Sequence, residues 1–386
     1  MENTTLHKVV IVGAGPAGLA IAACLRKANI PFVVLEKSNN IGNSWHQHYD
    51  RLHLHTVKAY SHLPYLPFPE GYPQYISRKQ LIQYFEDYAA HFDIQPRFNH
   101  GVTAIRRKGD YWQLETQSGE VLMAERVVMA TGVNRIPNIP HLNGQETFAG
   151  EIVHSRAYKN ATPFYGKKVL VVGMGNTGAE IALDLSEHGI ATWISVRHPV
   201  NIVPRDAFGR PTQLTAMKLA KLPHWLGDRL GILLRSLTVG NLRKYGLQTP
   251  SMPPSQQLRV TGKTPVIDIG TLDQIKKGKI GVVPGIDRVE PDGVRFLDGK
   301  KIALDTIVLA TGYKAGIQDF LESTEGLLDQ YEVPKYLSGQ DGYQGLFFLG
   351  YDNYSLGGIL GIIRRDAPLV AEAIVESLAD MQPTGA

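Results

Sequence analysis

Val9-Val-Ile-Val-Gly13-Ala-Gly15-Pro-Ala-Gly18 decides the reading of this chain. An apolar strand-like run leads into three glycines at G-x-G-x-x-G spacing, and an apolar helix comes next. The first glycine makes the tight turn, the second lets a phosphate approach the backbone, and the third lets helix pack on strand. The same grammar recurs at Val169-Leu-Val-Val-Gly173-Met-Gly175-Asn-Thr-Gly178. One such motif is a weak signal. Two in one chain predict two dinucleotides, and electron traffic between them.

The residues just after each motif distinguish the two nucleotides. Phe32-Val-Val-Leu35 reads as a second strand ending in Glu36, a carboxylate suited to the two hydroxyls of an adenosine ribose. After the second motif, Thr192-Trp-Ile-Ser195-Val-Arg197 ends in a cation where the first unit has an anion. A guanidinium offers a bidentate fork to a 2′-phosphate. The expectation is FAD (or NAD) at the first site and NADPH at the second.

The 386 residues, 43% of them hydrophobic, suffice for two packed domains. A net charge of +4 fits anionic cofactors, and no Lys/Arg-rich run reads as a nucleic-acid arm. No apolar stretch reaches membrane-spanning length, and Met1-Glu-Asn-Thr-Thr has no signal-peptide character, so the expected location is cytoplasmic. Cys24 is the sole cysteine. An intramolecular dithiol relay needs two, so the disulfide-reductase reading fails.

Along the chain, Ser77-Arg-Lys-Gln80 is a capping box before apolar Leu81, Phe85, Tyr88 and Phe92, predicting a helix of about four turns. Residues 102–129 read as a three-stranded meander closing into Val127-Val-Met129-Ala-Thr131-Gly132. That ending is echoed by Ile307-Val-Leu-Ala310-Thr311-Gly312. The fold class expected is α/β, with two Rossmann-like domains and the NADPH domain inserted into a discontinuous FAD domain. The expected division is 1–162 and 306–386 for FAD and 163–305 for NADPH, with a helical lid at about 213–245.

Between the nucleotide motifs stands Phe148-Ala-Gly150-Glu-Ile-Val-His154-Ser-Arg-Ala-Tyr158. It resembles the F-x-G-x-x-x-H-x-x-x-Y/F identifying sequence of flavin-containing monooxygenases. The related Baeyer–Villiger enzymes end theirs in Trp followed by Pro or Asp, where this chain has Tyr158-Lys159. Asp50-Arg-Leu-His-Leu-His55, Leu66-Pro-Phe-Pro69, Pro204-Arg205 and Gly262-Lys-Thr-Pro-Val-Ile-Asp268-Ile-Gly270 are similar to segments of the YUCCA-type subgroup. The resemblance implies an NADPH- and FAD-dependent monooxygenase in which a flavin C4a-hydroperoxide oxygenates a small organic substrate with O2. The subgroup implies oxidative decarboxylation of a 2-oxo acid such as indole-3-pyruvate. N- or S-oxygenation of a small amine or sulfide is the alternative, with a non-oxygenating NADPH oxidase or redox-sensing flavoprotein as the reading from another class. Where many family members place an Asn, this chain has Thr56-Val57-Lys58, and the YUCCA type lacks that Asn too.

The expected FAD set is Gly13, Gly15, Pro16, Ala17, Gly18, Glu36, Lys37, Trp45, His55, Thr131 and Gly132. The NADPH set is Gly173, Gly175, Asn176, Thr177, Gly178, Arg197, Arg205, Thr311 and Gly312. The chemistry is borne by the cofactor, so no catalytic side chain is assigned; Trp45, His55 and Lys58 are expected as walls of the flavin site. His46, His48, His53 and His55 cluster, but no cysteine or carboxylate–histidine helix motif joins them, and no metal is expected. Tyr60 to Tyr75, with its prolines, reads as a covering loop. The excursion mixes leucines and Trp225 with Lys218, Lys221, Arg229 and Arg235; a lid with its charges in water is preferred over a helix lying on a membrane. No partner beyond the substrate, O2 and cofactors is expected, and homo-oligomerisation stays open.

Overall fold

A computed structural model describes residues 5–380. Leu6–Val12 (β1) ends in the apolar run Val9–Val12, as a strand covered on both faces requires, and Val9 to Ile11 are fully buried. It pairs in parallel with β2 (Phe32–Leu35) on one side and β5 (Val121–Met129) on the other. Between β1 and β2 runs α1 (Pro16–Lys27), buried from Ala17 to Leu25 beneath the closing helix Gly358–Ala379. The meander β3 (Val102–Lys108), β4 (Tyr111–Thr116) and β5 extends the sheet in antiparallel fashion, with its turns at Gly109 and Gly119. Leu346–Phe348 then pairs in parallel with β5, so the end of the chain returns to the sheet where it began.

The second sheet is wholly parallel. Its order across the sheet is Ile280–Val283, Ala191–Ser195, Lys168–Val172, Thr306–Leu309 and Glu151–His154. Hydrogen bonding therefore carries this unit past both ends of residues 163–305, because the strands at 151–154 and 306–309 pair with each other. Helix α4 (Asn176–Glu187) covers one face. The architecture is α/β, with the unit of the wholly parallel sheet inserted into that of the mixed one.

Two further helices orient the site. Short α2 (Asn43–His46) comes after the first motif. Helix α3 (Arg78–His91) is started by Ser77, whose side chain and that of Gln80 form the expected capping box. Buried Tyr84 and Tyr88 donate from α3 to the carbonyls of Leu66 and Pro64, pinning the proline-rich loop down. The excursion is helical too: α5 (Thr212–Leu219), α6 (His224–Val239) and α7 (Pro254–Thr261).

Candidate active site

The two glycine motifs are near copies in physical detail. Gly13 and Gly173 take φ of +109° and +104°, where a side chain is strained. An added Cβ at Gly18 would lie 1.9 Å from the Gly13 carbonyl oxygen, and one at Gly178 would lie 2.0 Å from that of Gly173. Gly15 and Gly175, by contrast, have nothing within 4 Å of an added Cβ. That is the open backbone a pyrophosphate needs. Both helices also start on these glycines with no side-chain cap, leaving first-turn N–H groups for an anion; α3, away from the motifs, is capped by its own serine.

Around the first turn the expected residues converge. Gly13 turns against Ala130, so Thr131 and Gly132 sit beside it; Pro16 and Ala17 open α1. Glu36 is 7% exposed, and its carboxylate accepts from the Ala14 N–H at 2.8 Å and from Ser38. Lys37 is exposed one residue on. The Gly42 N–H donates to the Ala14 carbonyl at 3.0 Å, drawing α2 and Trp45 towards the same turn. Asn40 Oδ1 is buried there without a partner, an acceptor left for a group the chain does not itself supply.

The second set divides. Gly173, Gly175, Asn176, Thr177 and Gly178 open α4, and Thr311-Gly312 stands next to them, Ala310 being packed on Gly173 and Gly178. Arg205 is already engaged: its backbone N–H donates to the Asp268 carbonyl at 3.0 Å, and its guanidinium pairs with Asp206 at 3.0 Å and covers the Tyr75 ring at 4.2 Å.

Arg197 requires a correction of one residue. Leu35 and Ser195 hold the same place, each accepting the N–H of its unit's first glycine, Gly13 or Gly173. Glu36 therefore corresponds to Val196, and Arg197 corresponds to Lys37. The anion is not exchanged for a cation; it is replaced by an apolar residue and the cation stands one place later. Arg197 makes no hydrogen bond or ion pair among the described residues. Arg197→Ala should therefore cut the preference for NADPH over NADH roughly 10- to 100-fold, the worth of one charge-assisted pair. Initial rates with both nucleotides measure it, and an unchanged ratio would sink the role.

The four histidines do not converge. His53 Nδ1 lies 2.8 Å from the Arg51 carbonyl, and His46 Nε2 is buried without a partner. Burial, then Arg156 and Lys159, pushes His48 down to about 4. Among the described residues no cluster of His, Cys, Asp and Glu is arranged to hold a metal.

His55 instead meets Glu180 of α4, Nε2 to Oε1 at 2.8 Å. Lys58 reaches the carbonyls of Glu70 and Tyr72 at 2.8 and 2.7 Å, fastening the proline-rich loop rather than facing a carboxylate. Glu180 is 2% exposed, and burial, then Glu180, holds the phenol of buried Tyr49 well above its ordinary value. One turn further along α4, Asp184 accepts from the Tyr158 hydroxyl at 2.5 Å, and Arg51 bridges Asp184 and Glu187. Burial, then Asp184, holds the Tyr158 phenol well above its ordinary value.

This acidic edge of the second nucleotide helix, gripping residues 49–55, is what the sequence reading missed. Its signal was Glu180, Asp184 and Glu187 at i, i+4, i+7 on an otherwise apolar helix. It also explains the identifying motif. Tyr158 anchors on α4, and His154 lies 3.1 Å from the Gly312 carbonyl, so the motif fastens the strand Glu151–His154 to the second site.

A cavity of about 560 Å³ is lined by Gly150, Lys168 and Asp305, at the N-terminal ends of the second sheet's strands. Ligands of such sheets bind at the carboxyl ends, where the glycine turns are. Position outweighs volume here. Another cavity, about 260 Å³, includes Tyr351, whose hydroxyl is 2.7 Å from that of Thr131.

Twin dinucleotide cradles in one chain define an FAD- and NADPH-dependent flavoprotein oxidoreductase. Residues 10–205 match the family model described as pyridine nucleotide-disulphide oxidoreductase. Indole-3-pyruvate monooxygenase YUCCA1 of Oryza sativa subsp. japonica is 43% identical, covering 92% of this chain and 89% of its own length. Probable indole-3-pyruvate monooxygenase YUCCA8 of Arabidopsis thaliana is 39% identical, covering 97% and 91%. A flavin-containing monooxygenase from Stenotrophomonas maltophilia shares the fold with a TM-score of 0.74 at 20% identity, over 98% and 99% of the two chains. The chain belongs to the flavin-containing monooxygenase family, in its YUCCA-like branch. It is a monooxygenase.

Proposed function

We propose that this monooxygenase acts on a 2-oxo acid, with indole-3-pyruvate the leading substrate. The observation that carries this is its identity of 43% and 39%, over at least 92% of the chain, with relatives named indole-3-pyruvate monooxygenases.

In this reading the turn at Gly13–Gly18 holds the FAD pyrophosphate and Glu36 its ribose, with Lys37, Thr131 and Gly132 alongside. The turn at Gly173–Gly178 holds NADPH, Arg197 reads its 2′-phosphate, and Thr311-Gly312 lies beside it. The open backbone at Gly15 and Gly175 supports this fit, as does the unpartnered Asn40 Oδ1. Held there, FAD would supply the oxygen-activating redox chemistry, with NADPH as the reductant. The chain orients the two nucleotides and excludes water. Trp45, packed on Phe85, and His55, oriented by Glu180, are the side chains proposed to wall the flavin. Arg205 is proposed to reach NADPH only after leaving Asp206.

NADPH consumption against a panel of 2-oxo acids, amines and sulfides, with peroxide measured in parallel, tests the proposal. The expected result is consumption coupled to decarboxylation of indole-3-pyruvate with little peroxide. Coupling to amines or sulfides alone would move the substrate class. Stoichiometric peroxide whatever the organic compound would reduce the protein to an oxidase.

A further inference from the structure

Residues 205–263 carry ten Lys and Arg against two Asp and no Glu, in a chain whose whole net charge is only +4. Both acids are already neutralised, Asp206 by Arg205 and Asp228 by Arg259. This basic segment contains α6, a helix whose amphipathicity is the reverse of a lid's. Its inner side is tied to the protein by close packing and polar anchors. Gly227 packs on the Leu219 carbonyl, Asp228 bonds Ser255 and Arg259 of α7, and Arg235 donates to Asn201. Its outer stripe is Trp225, Arg229, Ile232, Leu233, Ser236 and Leu237, within about 140° of the helix circumference. Trp225, Leu233 and Leu237 are 62%, 55% and 68% exposed.

A lid with its charges in water would not turn these side chains outward. The stripe contains no carboxylate, its one charge is Arg229 lying over the Trp225 ring, and exposed Lys218, Lys221, Arg243 and Lys244 flank it. Apolar ridge, interfacial tryptophan and surrounding cations complement one kind of surface. We propose that α6 is a docking element that lies on an anionic lipid bilayer, its leucines in the acyl boundary and its cations at the headgroups. Sixteen residues make a helix about 24 Å long, which rests in the interface plane. None of the helices among the described residues is long and apolar enough to cross a membrane. The lysines and arginines keep their charges in water while their stems cover apolar surface. The expectation of a lid thus gives way, because burial depends on what neighbouring elements cover and nothing among the described residues covers this stripe.

Co-sedimentation of the holoenzyme with phosphatidylcholine vesicles containing phosphatidylglycerol, and with pure phosphatidylcholine, tests it. The wild-type chain should pellet with the anionic vesicles only, release in high salt, and show a blue-shifted tryptophan emission that Trp225→Phe removes. Leu233→Glu/Leu237→Glu should abolish pelleting while leaving the melting temperature unchanged, both residues being exposed. Lys218→Ala/Lys221→Ala should weaken partitioning about 25-fold, about fivefold for each cation, and serves equally if the glutamate variant does not fold. Failure of the wild-type chain to pellet, or equal pelleting with neutral vesicles, overturns the proposal. So does self-association that Leu233→Glu/Leu237→Glu removes without any vesicle binding, which would assign the stripe to a second copy of the chain.

Discussion

Gly178→Ala should leave a yellow protein that cannot use NADPH, whereas Gly18→Ala should leave one that purifies without flavin. The added methyl would stand 2.0 Å from the Gly173 carbonyl oxygen in the first variant and 1.9 Å from that of Gly13 in the second. In each, the obstructing atom is backbone at the turn itself, so no side chain can swing aside. The helix must lift off its strand, which spreads the cradle where the pyrophosphate meets the first-turn N–H groups. Overpacking of this kind costs about 1–3 kcal/mol of stability. The loss of nucleotide affinity should be larger, on the order of a hundredfold or more, since several hydrogen bonds to one anion are misaligned together. Gly15→Ala and Gly175→Ala are the controls: with nothing within 4 Å of the new methyl, the unliganded fold should be unaffected and only the nucleotide should suffer. Flavin absorbance after purification and NADPH titration of the reduction step read the four variants. Loss of flavin in Gly178→Ala, with flavin kept but NADPH use lost in Gly18→Ala, would exchange the two sites.

Asp184→Ala should destabilise the protein by about 3–5 kcal/mol, the cost of removing one partner from a buried charged network. Asp184 is 6% exposed and receives the hydroxyl of Tyr158, itself 1% exposed, together with Arg51. Without it the phenol has no acceptor in its pocket, and Arg51 keeps only the half-exposed Glu187. Tyr158→Phe should cost only about 1 kcal/mol, because Asp184 then still has Arg51. Calorimetric melting of both variants measures the difference. Equal destabilisation would mean that the network does not bear on stability as the geometry says. The comparison also tests why an aromatic hydroxyl stands at the end of the identifying motif: it fastens the linker to the helix that opens the second site.

Much of this was legible because it lives in local backbone chemistry. Three glycines after an apolar run can be recognised anywhere, since each glycine answers a constraint set within a few residues of itself. Ser77 with Gln80, and the meander turns at Gly109 and Gly119, were legible for the same reason. Arg197 was read one place off, because its correspondence with Lys37 is set by which carbonyl receives the first glycine's N–H, a fact of pairing between strands. Arg205 has the right charge and the right neighbourhood in sequence, yet folds onto Tyr75 and Asp206. Glu180 and Asp184 are not legible because a carboxylate on a helix is ordinarily solvated; only packing of residues 49–55 against α4 makes these two buried and paired.

The sequence by itself determined the number of dinucleotide cradles, the carboxylate beside the first of them and the absence of a dithiol route through lone Cys24. Each of these is written in residues close together or in a simple count. Tertiary structure alone decided how the second sheet recruits strands from 151–154 and 306–309, which carboxylates tie residues 49–55 and Tyr158 to α4, and that the apolar stripe of α6 faces outward. These depend on which distant surfaces meet, and periodicity records that a helix has two faces without saying which of them the rest of the chain will cover.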